Sequence, residues 1–372
     1  MKICILADAR TTHIKRWVEY FSEKHEVDLI TLSYTVPERT TIGEEVYEKM
    51  PNVRLHKVSK KIPDILLAPF RIRKLISEIK PDIVHAHYVT HYGFCGAFSG
   101  FHPLVVSAWG SDVLIDPFDS ILYKQMVCFA LKHADMITSD GYNSKSAMVK
   151  LGIKEDKIKI IYHGVDVSIF CPEKRDRSII WDLFSGDYPT VISDRGLEPI
   201  YDVESLIRAI PIIKTEIPDV RFIIAREDYQ KAYLMNLAKS LNVFDSIKFV
   251  GLIKHEDLPL YLSSSDIYVS TSLSDGGTAV SNIEGMACGL PPVVTNVGDN
   301  HRWVEDGVNG FLVPPKNPYY LAEKIIYLLK NISVRKKFGD LSRKIVEANA
   351  NYYSEMEKMN TIYHALSKRY KI

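Results

Sequence analysis

The sequence predicts an α/β protein built from two Rossmann-like, doubly wound domains facing a cleft. Three observations carry that expectation. Short runs that are apolar throughout alternate with amphipathic helical stretches along most of the chain, as in parallel sheets covered on both faces. The alternation breaks near Tyr162-His163-Gly164-Val165-Asp166 and then restarts. The length, 372 residues, exceeds what one hydrophobic core ordinarily serves.

The elements follow in order. KICILAD reads as a buried first strand, HIKRWVEYFSEK as a helix with Trp17, Tyr20 and Phe21 on one side, and EVDLITLS as the next strand. The segment 54–80 is basic, with Arg54, Lys57, Lys60, Lys61, Arg71, Arg73, Lys74 and Lys80 against Asp64 and Glu78. Apolar Ile65, Leu66, Leu67, Phe70, Ile72 and Leu75 interleave. The segment reads as an amphipathic helix with a solvated basic edge, or as a contact for anionic lipid headgroups or a lipid-phosphate acceptor. DIVHAHY, PLVVSAW, ADMITSD and KIKIIYHGV are β-rich runs. VDVSIFCPEKRDRS is a charged linker. Beyond it come strand PTVISDRG, helix VESLIRAIPII, strand VRFIIA, helix YLMNLAKSL and strand SIKFVGLI. The stretch 266–318 reads as strand, glycine-rich loop, helix, strand, loop, strand. The last segment is helical, with Tyr352, Tyr353, Met356, Met359, Tyr363 and Leu366 at helical spacing, and is expected to cross back onto the first domain. The expected division is 1–168, 169–350 and a returning helix over 351–372.

Composition narrows the function. The chain is 46% hydrophobic and 25% charged with a net charge of +1, so no global field favours nucleic acid as a partner. Five cysteines without CxxC spacing read as reduced, mostly buried thiols. The amino terminus lacks a signal-peptide core, and no apolar run reaches the ~20 residues that span a bilayer. A cytoplasmic protein is expected, with peripheral contact at the inner membrane face through 54–80 as the further option.

The most informative stretch is the loop Ser274-Asp275-Gly276-Gly277-Thr278 between a strand and a helix. Such a helix start offers free N–H groups and partial positive charge to a phosphate, here through the amides of Ala279 and Val280. Glu284 follows about two turns on; a carboxylate can accept from both hydroxyls of a ribose. A phosphate cradle followed by a diol-gripping acid suits a nucleotide-sugar.

These motifs, above all EGMACGLPPVV, GDN and VEDGVNGFLVPPKNP followed by LAEKIIYLL, resemble the retaining glycosyltransferases of the GT-B fold, family four. KPDIVHAHY, WGSDV, HGVDVSIF and ISDRGLEPIYDVESLIRAI support the resemblance in the same order, and it covers essentially the whole chain. It implies that the second domain holds a UDP- or GDP-sugar and the first most of the acceptor site. It further implies transfer with retention and no need of a metal; the chain has no DxD pair. The acceptor is expected to be a glycan, a lipid-linked molecule or a small molecule. Arg195 falls where the family has the arginine of its diphosphate-binding Arg/Lys pair. The lysine is missing, with Ile200 or Tyr201 near its place and Arg226 the nearest other cation. Asp275 is expected at the donor sugar, although it lies nine rather than eight positions before Glu284, the eighth slot being Gly276. The loop around Arg226 is usually glycine-rich in the family, a second departure.

In the first domain, Trp109-Gly110-Ser111-Asp112 ends a strand. Many relatives carry His where Trp109 stands; Trp can stack on a sugar but not act as a base. Asp112 suits orienting a hydroxyl or capping the next helix. His85 reads as a satisfied structural histidine, while His87, His91 and His13 lie where they reach acceptor hydroxyls. A zinc site lacks further ligands at the required spacing. Competing readings are a nucleotide-sugar epimerase of GT-B-like fold and a non-catalytic sugar-nucleotide or glycan-binding protein. A Rossmann dehydrogenase is disfavoured because the first strand leads into ADARTTH rather than GxGxxG.

Overall fold

The structure, a computed structural model, describes residues 1–33, 43, 45–59, 64–275, 277 and 279–370. The chain divides into two compact units: Met1–His163 together with Ser354–Ile372, and Gly164–Tyr353.

Among the described residues the first unit holds a seven-stranded sheet: β1 (Lys2–Leu6), β2 (Glu26–Ser33), β3 (Val53–Ser59), β4 (Ile83–His87), β5 (Leu104–Ala108), β6 (Met136–Ser139) and β7 (Ile158–Ile160). The order is β3-β2-β1-β4-β5-β6-β7, and every pairing is parallel. The apolar runs explain it. Strands β4 and β5 are buried along their whole length, as parallel strands covered on both faces must be. The helix Thr12–Ser22 is capped by Thr11, whose hydroxyl accepts from the Ile14 N–H, and it buries Ile14, Trp17, Val18 and Phe21. Each such fully buried large side chain contributes about 1.5–3 kcal/mol relative to exposure.

The terminal helix Tyr352–Tyr370 sends its residues from Ser354 onward into this unit. Tyr20 donates to Glu357 at 2.7 Å, His25 meets Asn360 at 2.9 Å, and the Tyr162 N–H reaches Glu355 at 3.0 Å. His85 is structural, as read from the sequence: one ring nitrogen pairs with the Tyr363 hydroxyl and the other with Ser107 at 2.6 Å.

The basic segment corrects one expectation. It is not a single helix. Val53–Ser59 is strand β3, paired with β2, and the helix runs Asp64–Ile79; Lys60 and Lys61 lie outside the described residues. The alternation of Val and Leu with Arg and Lys suits an edge strand. Arg54 is held there by Asp28 at 3.0 Å and Glu26 at 2.9 Å.

The second unit repeats the plan with β8 (Thr190–Ser193), β9 (Arg221–Ala225), β10 (Ile247–Gly251), β11 (Ile267–Ser270), β12 (Pro292–Thr295) and β13 (Phe311–Val313). Their order is β10-β9-β8-β11-β12-β13, all parallel. Its core joins β8, β9 and β11 to the helices Val203–Glu216 and Pro318–Lys330. The helix Val280–Ala287 approaches β11 closely because residue 285 is glycine. A Cβ there would lie 2.7 Å from the Tyr268 ring.

In both sheets the strand order reverses direction once, between β1 and β4 and between β8 and β11. Doubly wound sheets bind ligands outside the carboxyl ends of the strands at such switch points.

Candidate functional site

In the second unit, the two strands at the switch point end in Asp194-Arg195 and in the loop 271–275. Three contacts shape that loop. Thr271 donates to the Tyr201 carbonyl at 2.9 Å, the Leu273 N–H to the Ile200 carbonyl at 2.8 Å, and Thr295 to the Ser272 carbonyl at 2.6 Å. Gly298 closes over it: its φ of +52° is left-handed, and a Cβ would come 2.6 Å from the Asp275 carbonyl oxygen.

The Arg195 guanidinium is fixed from four sides. It donates to Ser272 at 3.1 Å, to Ser281 at 3.0 Å and to Asp275 at 2.6 Å, and it lies over the Tyr201 ring, 4.7 Å from its centre. Its side chain is 12% exposed and that of Asp275 9%, so the pair is shielded from water and its geometry is stiff. Burial pushes the Asp275 carboxyl up, and the arginine offsets this only in part.

Glu284 lies on the helix Val280–Ala287 and is buried, not a surface carboxylate. Its hydrogen-bond partner is His255, whose Nε2 is 3.2 Å from Glu284 Oε1. The helix begins at Ala279 without a side-chain cap. Among the described residues no capping side chain satisfies its first amides. Gly277 is buried in the preceding loop, and Gly276 and Thr278 lie outside the described residues.

Arg226 follows β9, the neighbour of β8. Its φ is +88°, the left-handed region that a glycine would enter freely, and its N–H donates to the Gly251 carbonyl at 2.6 Å. Its Nε donates to the Asp194 carbonyl at 2.9 Å, leaving both Nη groups without a hydrogen-bond partner among the described residues.

Sequence reasoning missed Asp194. It is 1% exposed; Oδ1 accepts from the Tyr268 hydroxyl at 2.9 Å, and Oδ2 has no partner among the described residues. Burial, then the charge of Glu284, raises its carboxyl, against the pull of Arg226 and Arg195. Ser272, Ser281 and His255 were missed as well. The one available signal was the serine-rich composition of the strand end, STSLS.

In the first unit, residues at the corresponding strand ends form a cluster of rings. His13 stacks on His163, 4.5 Å between centres. Trp109 stands edge-on to His13 at 5.7 Å, His163 at 5.2 Å and His87 at 5.9 Å, and Trp17 meets His87 at 4.8 Å. His87 is 2% exposed, and neither ring nitrogen has a partner among the described residues. The same holds for the indole nitrogens of Trp17 and Trp109. Burial holds the imidazoles neutral: His163 is lowered to about 3, and His87 is lowered well below the usual range, with the neighbouring His85 adding to the effect.

Asp112 is wholly buried and braces the cluster at Trp109. It accepts from the Val89 N–H at 2.7 Å and the Trp109 N–H at 3.0 Å. Ser111 meets the Tyr88 hydroxyl at 3.2 Å, Gly110 precedes the short helix Ser111–Leu114, and the His91 ring packs by Tyr88 and Tyr123. Among the described residues no three His, Cys, Asp or Glu side chains are grouped as metal ligands, and no helix is long and apolar enough to cross a membrane.

Two parallel, doubly wound units, one carrying an anchored arginine and a buried glutamate at its switch point, define the GT-B class. Known proteins agree. The family described as Glycosyl transferases group 1 matches residues 177–345, and Glycosyl transferase 4-like matches residues 2–141. Each unit thus matches a glycosyltransferase family model, the second the group 1 model and the first the 4-like model. The chain is 22% identical over 348 residues to the N-acetyl-alpha-D-glucosaminyl L-malate synthase of Bacillus anthracis, covering 91% of this chain and 89% of that protein. It is 26% identical over 243 residues to spore coat protein SA of Bacillus subtilis, 62% of this chain and 64% of that protein. The crystal structure of Anabaena Alr3699/HepE in complex with UDP and glucose has the same fold, with a TM-score of 0.81, 20% identity, and coverage of 98% of this chain and 100% of that one.

Proposed function

We propose that this glycosyltransferase moves a hexosyl or N-acetylhexosaminyl group from a UDP- or GDP-sugar to an acceptor hydroxyl, with retention of anomeric configuration and without a metal ion. The observation that carries the reading is the Arg195 guanidinium, anchored at the end of β8 over the first turn of the Glu284 helix. A fixed cation there offsets charge on a departing diphosphate with little reorganisation. The likeness to a protein crystallised with UDP and glucose supports a nucleotide-sugar donor.

In this reading the amides of Ala279 and Val280 receive the diphosphate, Glu284 takes the ribose hydroxyls and Asp275 meets the donor sugar. Arg226 stands in for the absent lysine. Its Nη groups are free to bond, whereas Tyr201 already gives its ring face to Arg195. The bond from the anomeric carbon to the β-phosphate oxygen breaks as the acceptor oxygen attacks the same face. The acceptor proton passes to the leaving phosphate. The first unit holds the acceptor through Trp109, His87 and His13, with His91, Gly110 and Ser111 at its rim and Asp112 as brace. The acceptor is a glycan, a lipid-linked molecule or a small molecule. Exposed Leu66, Leu67 and Phe70 beside exposed Arg71, Arg73 and Lys74 suit peripheral contact with an anionic membrane, which flotation with anionic and neutral vesicles tests.

Thermal shift with UDP, GDP and ADP tests the donor, because a ligand of the folded state raises Tm. Stabilisation by UDP or GDP that disappears in Glu284→Ala is expected. Incubating the matching nucleotide-sugars with an acceptor pool should then give a glycoside of retained configuration. A new sugar nucleotide formed without acceptor would instead indicate an epimerase, and binding without turnover a binding protein.

A further inference from the structure

We propose that His255 is a positioning residue for the donor nucleotide, holding Glu284 in the pose that accepts the ribose hydroxyls. The inference rests on the donor reading above. Glu284 is a long side chain on a helix, and a buried carboxylate needs a partner to hold one conformation. Among the described residues its hydrogen-bond partner is His255, reaching from the loop after β10 at 3.2 Å. An ionised carboxylate only accepts, so the bond requires the proton on His255 Nε2. Each carboxylate oxygen accepts more than one bond. Oε1 therefore serves His255 and one ribose hydroxyl together, and Oε2 is left for the other.

His255 is itself held. Its ring stands edge-on to Phe170, 5.1 Å between centres, and the Phe170 carbonyl is gripped by the partly buried Arg343 guanidinium. The imidazole thus carries rigidity from the packed base of this unit to the Glu284 carboxylate. The His255 side chain is 43% exposed against 6% for Glu284. A substitution at 255 therefore tests the bond without emptying the core.

The test is calorimetric binding of UDP, GDP and their 2′-deoxy counterparts to the full chain, which reads the ribose contact separately from the diphosphate. Wild type is expected to prefer the ribonucleotide. His255→Phe keeps the ring against Phe170 and removes the N–H. It should weaken ribonucleotide binding about 5- to 10-fold and weaken the 2′-deoxy nucleotide, which keeps one of the two hydroxyls, clearly less. His255→Gln restores a donor and should recover most of the preference. With nucleotide-sugar, His255→Phe should raise KM with kcat little altered, because the ribose is held alike in ground and transition states. An unchanged ribo/deoxy ratio in His255→Phe, or equal weakening of both nucleotides, overturns the inference while the Glu284 reading stands. If wild type lacks the preference and Glu284→Gln changes nothing, or if neither nucleotide binds, the donor reading fails and this inference with it.

Discussion

The two units share a strand order and a switch point but fill that point with opposite chemistry. In the second unit it is dense with charge: Arg195 paired to Asp275, Arg226 beside Asp194, and Glu284 bound to His255. In the first it is neutral, with Trp17, Trp109, His13, His87 and His163 packed ring against ring and the imidazoles of His87 and His163 held uncharged by burial. Topology settles where the loops gather; the side chains settle what they can bind. Fixed charges suit a diphosphate, and neutral rings with unspent nitrogens suit a hydroxyl-bearing acceptor.

The comparison breaks most visibly at Arg195. Arg195→Ala should lower kcat/KM by about 10²–10³, the scale found when one preorganised donor to a developing charge is removed. Arg195→Lys should recover little, since one ammonium cannot reproduce the fork that spans Ser272, Ser281 and Asp275. Steady-state kinetics with the best nucleotide-sugar measures both. A loss confined to KM, with kcat intact, would make Arg195 a ground-state anchor only.

Asp112 offers a test of how the neutral side is held. Burial, the dominant influence, raises its carboxyl to about 6 against the Val89 and Trp109 N–H groups. The folded chain then keeps a proton that the unfolded chain has released between about pH 4 and pH 6. The stability tied to that proton is full below this window and is lost as pH rises through 6. Asp112→Asn has no such titration. Relative to it, wild type should lose about 2–3 kcal/mol between pH 4 and pH 7, read from urea midpoints at each pH. Parallel curves for the two proteins would show that Asp112 is ionised throughout.

How far the sequence reveals all this depends on the range of the contact. EVDLITLS is apolar and β-branched enough to mark β2 over the span the structure gives it. The basic residues of VRLHKVS hide β3, because an edge strand carries charge that reads as helix surface. The placement of Arg195 just past a strand and of Glu284 on the helix after the loop was legible because such positions are local. The Arg195–Asp275 pair, 80 residues apart, and the His255–Glu284 bond, 29 apart, depend on β8 lying beside β11 and on the loop after β10 reaching the Glu284 helix. No local pattern encodes either. No local pattern marks Asp194 either, since the Tyr268 hydroxyl bonded to it lies 74 residues further along the chain.

A smaller effect is expected at His87, yet it bears most directly on the comparison. Two buried nitrogens without partners cost the fold about 1–3 kcal/mol, so His87→Phe should raise stability while keeping the ring against Trp17 and Trp109. A packed core would keep the cheaper residue; a binding surface keeps the costly one. If the cluster holds the acceptor, His87→Phe should cut transfer about tenfold at low acceptor concentration. Acceptor-free donor hydrolysis and nucleotide affinity should stay as they are, because those belong to the charged unit. A more stable protein with undiminished transfer would mean that the rings are core and that the acceptor is bound elsewhere.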